Sequence, residues 1–280
     1  MRVVAMLDGT IVDFDQPHLA VDELGFLRGD GVFETILVVD RRPRELGPHL
    51  DRLGRSAAML DLPNPDRAAW ERCVDAVIAA WQGGPEAALR LIYTRGRDSG
   101  DGTPTGFAMA GPIGEKTIRQ RKTGVAAMIL DRGYHPDVVA KAPWLLLGAK
   151  SLSYAVNMAA IRHAQANGAD EVIFVASEGS VLEGPTSTVV IADGNTLRTT
   201  PPSHGILEGT TQGALFRAAE KAGWSTKVEP LRVADLRGAD GLFLASSVRR
   251  ITRVHTLDGT PLPDVPALHR ELNALYESEY

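Results

Sequence analysis

The apolar residues of this 280-residue chain change period repeatedly, from two to 3.6 and back, without the strand–helix–strand rhythm of a doubly wound sheet. VVAMLDGTIVD reads as a hairpin with Asp8-Gly9 at its tip, and RGDGVFETILVVDRRPREL as a second that turns near Asp40 to Arg42. From Pro48 to Leu60 the spacing is helical, through Leu50, Leu53, Ala57, Met59 and Leu60. Residues 66 to 82 give another helix, stopped at Gly83-Gly84, before EAALRLIYTRG and GFAMAGPI return to strand character.

VAAMILD then begins a second set of strands. Ser151 to Ala166 is expected to be a helix, capped by Asn167-Gly168. EVIFVAS, VLEG and STVVIAD read as an antiparallel meander turning at Glu178-Gly179 and Gly194-Asn195. A helix from Thr210 to Ala222, strands in GLFLASSVRRITRV and a terminal helix complete the pattern, and the predicted class is α+β. GEKTIRQRKTG, residues 114 to 124, is polar and poor in large apolar side chains. It is read as the join between an N-terminal domain, 1–113, and a C-terminal domain, 125–280.

Composition excludes several classes. With 30 basic and 35 acidic side chains mixed along the sequence, a net charge of -5 and no basic block, nothing marks a nucleic-acid surface. Cys73 is the only cysteine, which forbids an internal disulfide and a cysteine-rich metal site, and the seven histidines show no metal-ligand spacing. The opening MRVVAMLDGTIVDF lacks the long apolar run of a secretion signal, and WLLLGA is too short to span a bilayer. A cytoplasmic protein is expected. There is no Gly-x-Ser-x-Gly elbow, no dinucleotide fingerprint after a strand and no Walker lysine.

The candidates for chemistry are few. Lys150 follows the apolar WLLLGA and precedes an apolar helix. A lysine there either snorkels to water along its stem or is held where a free amine is wanted as a nucleophile and base. Gly205 and Gly209 in GILEGTTQ allow close approach, and Thr210 and Thr211 open a helix whose amides either take a threonine cap or suit a phosphate. Ser246 and Ser247 end an apolar strand, as an ordinary turn or as part of an anion cradle. Arg52 in HLDRL could reach a phosphate with its fork or pair with an acidic neighbour, and Glu183 is either a turn residue or a partner for a heterocyclic nitrogen.

In order, LDGTIVD, GDGVFETILV, HLDRL, LIYTRG, AKSLSY, DEVIFVASEGSVLEG and GILEGTTQ resemble the fold-type IV family of pyridoxal-phosphate enzymes. That family includes the branched-chain and D-amino-acid transaminases and the 4-amino-4-deoxychorismate lyases. The resemblance covers almost the whole chain. It implies a two-domain fold with pyridoxal 5'-phosphate at the domain interface, a small-molecule substrate and a homodimer. Lys150 then matches the lysine that binds the cofactor's aldehyde, and Glu183 the glutamate at the pyridine nitrogen. Arg52, Thr210, Thr211, Ser246 and Ser247 match phosphate-holding positions, and Tyr154 lies near the position that faces the 3-hydroxyl.

The sequence also departs from the family. Glu208-Gly209-Thr210-Thr211-Gln212 stands where relatives carry Pro-Gly-Ile-Thr-Arg, and Thr188 replaces an asparagine. Thr94-Arg95-Gly96 is not followed by the Arg-x-His carboxylate trap of D-amino-acid transaminases, and Ser246-Ser247-Val248-Arg249 replaces the Gly-Thr-Ala turn of branched-chain transaminases. The chain is most similar to the aminodeoxychorismate lyases, with Arg90, Arg97 and Arg249 as cationic candidates for the substrate's carboxylates. An aminotransferase is the alternative activity. A cofactor-free binding protein on the same fold would have no use for Lys150 and Glu183 together.

Overall fold

In a computed structural model that describes every residue, Met1–Tyr280, burial along the run GVFETILVV sets the frame of the first part of the chain. Strands β1 (Val3–Met6), β2 (Ile11–Val12), β3 (Gly31–Val39), β4 (Arg42–Pro43), β5 (Glu86–Thr94) and β6 (Thr105–Gly111) form one antiparallel sheet. Their order across it is β2-β1-β6-β5-β3-β4. Helix α1 (Leu24–Leu27) is a single turn; α2 (Leu46–Met59) packs on β3, and α3 (Arg67–Ala80) on β1 and β6. On β3, alternate residues Val32, Glu34, Ile36 and Val38 are buried, as a period of two requires. The apolar stripe of α2, Leu50, Leu53 and Ala57, is buried too. Burying a leucine such as Leu53 contributes about 1.5–3 kcal/mol.

The chain divides into two compact units, Met1–Gly114 with Ala149–Tyr154, and Glu115–Gly148 with Ala155–Tyr280. The second contains α4 (Glu115–Thr123), β7 (Val125–Asp131), α5 (Val138–Lys141), α6 (Ala155–Ala166), β8 (Glu171–Val175), β9 (Thr188–Asp193) and β10 (Thr196–Thr199). It continues through α7 (Thr210–Lys221), β11 (Ser225–Val228), α8 (Val233–Gly238), β12 (Gly241–Ser246), β13 (Arg250–Leu257), β14 (Thr260–Pro261) and α9 (Pro266–Ser278). Its mixed sheet runs β11-β10-β9-β12-β13-β7-β8, with β14 on β13. Both faces are covered. Val189 and Ile191 pack with Val125, Leu242 and Leu236, while Val190 and Ala192 pack with Ala214, Leu215 and Tyr276. A strand covered on both sides reads as an unbroken apolar run, which is the character of TVVIAD.

Three expectations are corrected. Residues 115–123 are a helix of the second unit rather than a connection: Gln120 is buried and Arg121 binds the main chain at Val248. Lys150 clusters with the first unit, not the carboxy-terminal one, because its segment adds to the edge of β3. Phe33 N–H donates to the Lys150 carbonyl at 3.0 Å, Leu152 N–H to that of Gly31 at 2.8 Å, and Val32 faces Ser151 in an antiparallel bridge. This pairing holds Ser151–Tyr154 extended, so the helix that follows starts at Ala155. The expected meander is also broken. β8 pairs in parallel with β7 and closes a short hairpin at Val175 and Val181, whereas β9 pairs with β10 and β12. No helix is long and apolar enough to cross a membrane.

Candidate active site

Helix α2 carries a second, polar stripe. His49, Arg52 and Ser56, spaced by three and four residues, are 1, 5 and 2 % exposed and lie on one face. Facing them is Glu34 of β3, which is wholly buried. Arg52 donates from Nε to Glu34 Oε1 at 2.7 Å and from Nη2 to Oε2 at 2.6 Å, and His49 Nδ1 lies 2.7 Å from Oε2. Burial pushes the Glu34 carboxyl up, but the charges of Arg52 and His49 and their hydrogen bonds outweigh it and hold the group well below the usual carboxylate range. Burial in turn pushes His49 down, which favours a neutral ring donating Nδ1–H to the carboxylate.

Ser56 extends this stripe to the lysine segment, its Oγ accepting the Lys150 N–H at 3.0 Å. Lys150 Nζ sits 4.5 Å from the centre of the Phe33 ring and 5.7 Å from that of Tyr154. The two rings meet edge to face, 5.3 Å apart at 88°. The amine is therefore placed against two aromatic faces and is half-buried, not sealed among aliphatic groups. The first unit thus brings together Arg52, Lys150 and Tyr154, and adds Glu34, His49 and Ser56.

In the second unit, Glu183 Oε2 accepts the Leu207 N–H at 3.1 Å, which ties it to the loop leading into α7. Tyr134 braces the start of that loop: its hydroxyl donates to the carbonyls of His204 at 3.1 Å and Gly205 at 3.4 Å. Gly205 has a φ of +80°, and a Cβ there would lie 2.9 Å from Val139 Cγ2 and 3.0 Å from Leu147 Cβ. Only glycine meets both demands. Gly209 is the N-cap of α7 and has no side chain to cap with, so the first amides of a twelve-residue helix present the positive end of its dipole. A Cβ at Gly209 would come within 2.3 Å of Thr188 Oγ1. Thr188 pairs with Ala245, next to Ser246 at the end of β12. The second unit thus brings Thr210, Thr211, Ser246 and Ser247 to one end of its sheet.

Two arginines fix the turn that follows Ser246. Arg121 of α4 donates to the Val248 carbonyl through Nε at 2.9 Å and Nη2 at 2.6 Å. Arg249 is 6 % exposed and forms an ion pair with Glu171 at the start of β8. Arg97 is exposed and bonded to Asp22, with Nε 3.0 Å from Oδ1. Of the three arginines proposed to grip substrate, these two are thus committed to acidic partners, and Arg90 alone is exposed on its strand without an ion pair.

Each unit holds donors that fit a part of pyridoxal phosphate. In the first unit an amine against aromatic faces suits the aldehyde; in the second the amino-terminal end of α7, with its buried threonines, suits a phosphate, and a loop-anchored carboxylate suits a pyridinium. No three His, Cys, Asp or Glu side chains are grouped to hold a metal ion.

The family model for class IV amino-transferases matches residues 31–257. The chain belongs to the class IV aminotransferases. It is a pyridoxal-phosphate enzyme with the fold-type IV architecture. A bifunctional aminodeoxychorismate lyase / D-amino acid transaminase of Mycobacterium tuberculosis is 48% identical over 273 residues, 94% of each chain. A structure described as a hypothetical aminotransferase from Mycobacterium tuberculosis in its PLP-bound form superposes with a TM-score of 0.96 at 46% identity, covering 100% of this chain and 98% of the other. A fold IV transaminase from Curtobacterium pusillum gives 0.93 at 43% identity, with 99% of both chains covered. The sequence singles out Lys150, Glu183 and the loop of Gly205 and Gly209. Sequence reasoning missed Glu34 and Ser56 and took His49 only as one more histidine. The readable signal was Glu34, a carboxylate at a position where the alternation of β3 calls for an apolar residue.

Proposed function

We propose that this class IV enzyme is a 4-amino-4-deoxychorismate lyase that releases pyruvate and leaves 4-aminobenzoate for folate synthesis. The observation that carries the reading is the 48% identity, across 94% of both chains, to an enzyme named for this lyase and for D-amino acid transamination. The sequence after Thr94-Arg95-Gly96 supports it, since Arg97 is engaged with Asp22 and no Arg-x-His trap follows. The second name of that relative favours a second reading, amino transfer with D-amino acids.

When bound, the cofactor supplies an aldehyde carbon for the amine and a protonated ring that takes up an electron pair. Lys150 is the residue that would hold that aldehyde through its amine. With substrate in place, the Lys150 amine would take the proton from the ring carbon bearing the substrate's nitrogen. The C–O bond to the enolpyruvyl group on the neighbouring carbon breaks, that group takes up a proton and leaves as pyruvate, and the ring becomes aromatic. Glu183 holds the proton on the pyridine nitrogen. Thr210, Thr211, Ser246, Ser247 and Arg52 hold the phosphate, and Tyr154 faces the 3-hydroxyl. Arg90 is the candidate left for a substrate carboxylate. The enzyme acts as a cytoplasmic homodimer.

The deciding assay supplies aminodeoxychorismate with no keto acid. Pyruvate and 4-aminobenzoate in equal amounts are expected. Product formed only from an amino acid with a keto acid would assign the transaminase instead. Borohydride should fix the cofactor on Lys150, and a Lys150→Ala protein that still turns over would remove that residue from its role.

A further inference from the structure

The buried carboxylate of Glu34 has no part in the chemistry above, yet it stands behind a residue that does, Arg52. Its neighbours on the same face of β3, Val32, Ile36 and Val38, are 0, 0 and 2 % exposed, and Glu34 itself is 0 % exposed. Taking a charge out of water there is costly, and an ion pair in such a place is often no more stabilising than apolar side chains of the same volume. Packing alone gives no reason for it.

The geometry does. Both carboxylate oxygens are used: Oε1 by Arg52 Nε, and Oε2 by Arg52 Nη2 and His49 Nδ1. A bidentate grip fixes the plane of a guanidinium as well as its position, which a single bond would not. His49 and Arg52 come from the same stripe of α2 whose next member, Ser56, holds the main chain of Lys150. Glu34 is thus the fixed point against which an otherwise flexible arginine is set.

We propose that Glu34 is a positioning residue for cofactor binding: by gripping Arg52 through two hydrogen bonds it presents that guanidinium to the phosphate, and so it sets the enzyme's preference for the phosphorylated form of the vitamin. The proposal rests on the reading of Arg52 as a phosphate contact. It predicts an effect confined to the phosphate, because neither the aldehyde nor the ring touches Glu34 in this scheme.

The test titrates the apo-enzyme with pyridoxal 5'-phosphate and, separately, with pyridoxal, following protein fluorescence. Wild type, Glu34→Gln and Arg52→Gln are compared by the ratio of the two affinities, which cancels a general loss of stability within each protein. Glu34→Gln is expected to lower that ratio about tenfold or more, the size of one misplaced charge-assisted hydrogen bond. Arg52→Gln should lower it at least as much. If Glu34→Gln does not fold, Glu34→Asp keeps the charge but not the bidentate reach and is read the same way. A ratio lowered by Arg52→Gln but unchanged by the Glu34 variant would overturn the proposal and leave the Arg52 assignment standing. If neither substitution moves the ratio, the assignment of Arg52 fails and the proposal with it. Equal weakening of both ligands by the Glu34 variant would assign Glu34 to the fold and overturn the proposal.

Discussion

The Ser56 hydroxyl oxygen accepts the main-chain N–H of Lys150 at 3.0 Å, joining positions 94 residues apart. With the Phe33 N–H on the Lys150 carbonyl, it grips the peptide units on both sides of the lysine. Ser56→Ala leaves that N–H without its partner and is expected to cost about 1–2 kcal/mol of stability. Urea unfolding of the apo-enzyme measures this, and an unchanged midpoint would show that the bond contributes nothing net.

Gly209 is a place where one methyl group matters. Its Cβ would fall 2.3 Å from Thr188 Oγ1, so Gly209→Ala must displace either the threonine or the start of α7. Overpacking of this kind costs about 1–3 kcal/mol. Both the melting temperature and the affinity for pyridoxal phosphate should fall, and Thr188→Ala in the same chain should restore them. Failure of that second change to rescue would place the strain elsewhere.

Acid should loosen the first unit in two stages. Burial lowers the pKa of His49 from its ordinary 6.5, so its contribution is complete above that pH and is lost as pH falls below it, when the unfolded chain takes up the proton first. Glu34 is held below its ordinary 4.5, although burial alone would raise it, because Arg52 and His49 favour its charge; its contribution is complete above pH 4.5 and lost on further acidification. Unfolding free energy measured against pH should therefore decline through both ranges in the wild type. His49→Gln should flatten the first stage and Glu34→Gln the second.

Arg249 and Glu171 form a buried pair, with side chains 8 and 6 % exposed. Removing one partner strands the other charge, so Glu171→Leu is expected to cost about 3–5 kcal/mol. The double change Glu171→Leu with Arg249→Met should recover most of that loss, since two apolar side chains then fill the site. Calorimetric melting of the three proteins decides the matter, and a double variant no better than the single would contradict it.

The residues legible in the sequence were those whose demands are local. Gly205 needs a left-handed φ, Gly209 opens a helix, and Lys150 sits at an abrupt change from apolar run to polar residues. What escaped depends on partners distant in the chain. Ser56 acquires meaning only through Lys150, and His49 only through Glu34. The extended form of Ser151–Tyr154 was likewise hidden, because an alanine-rich helix follows at once and the competing main-chain bonds come from Gly31 and Phe33. The partners of the cationic candidates were hidden for the same reason: Arg97 and Arg249 look alike in a string, and only the fold brings Asp22 and Glu171 to them.

Because Ala149–Tyr154 completes the edge of β3, neither half of this protein is a module that evolution or an engineer could lift out with a single cut. A fragment ending at Gly114 would expose the Phe33 N–H and the Gly31 carbonyl as an open template, inviting strand exchange with other copies. Hybrids between relatives must inherit the first 114 residues and this distant hexapeptide together, or neither.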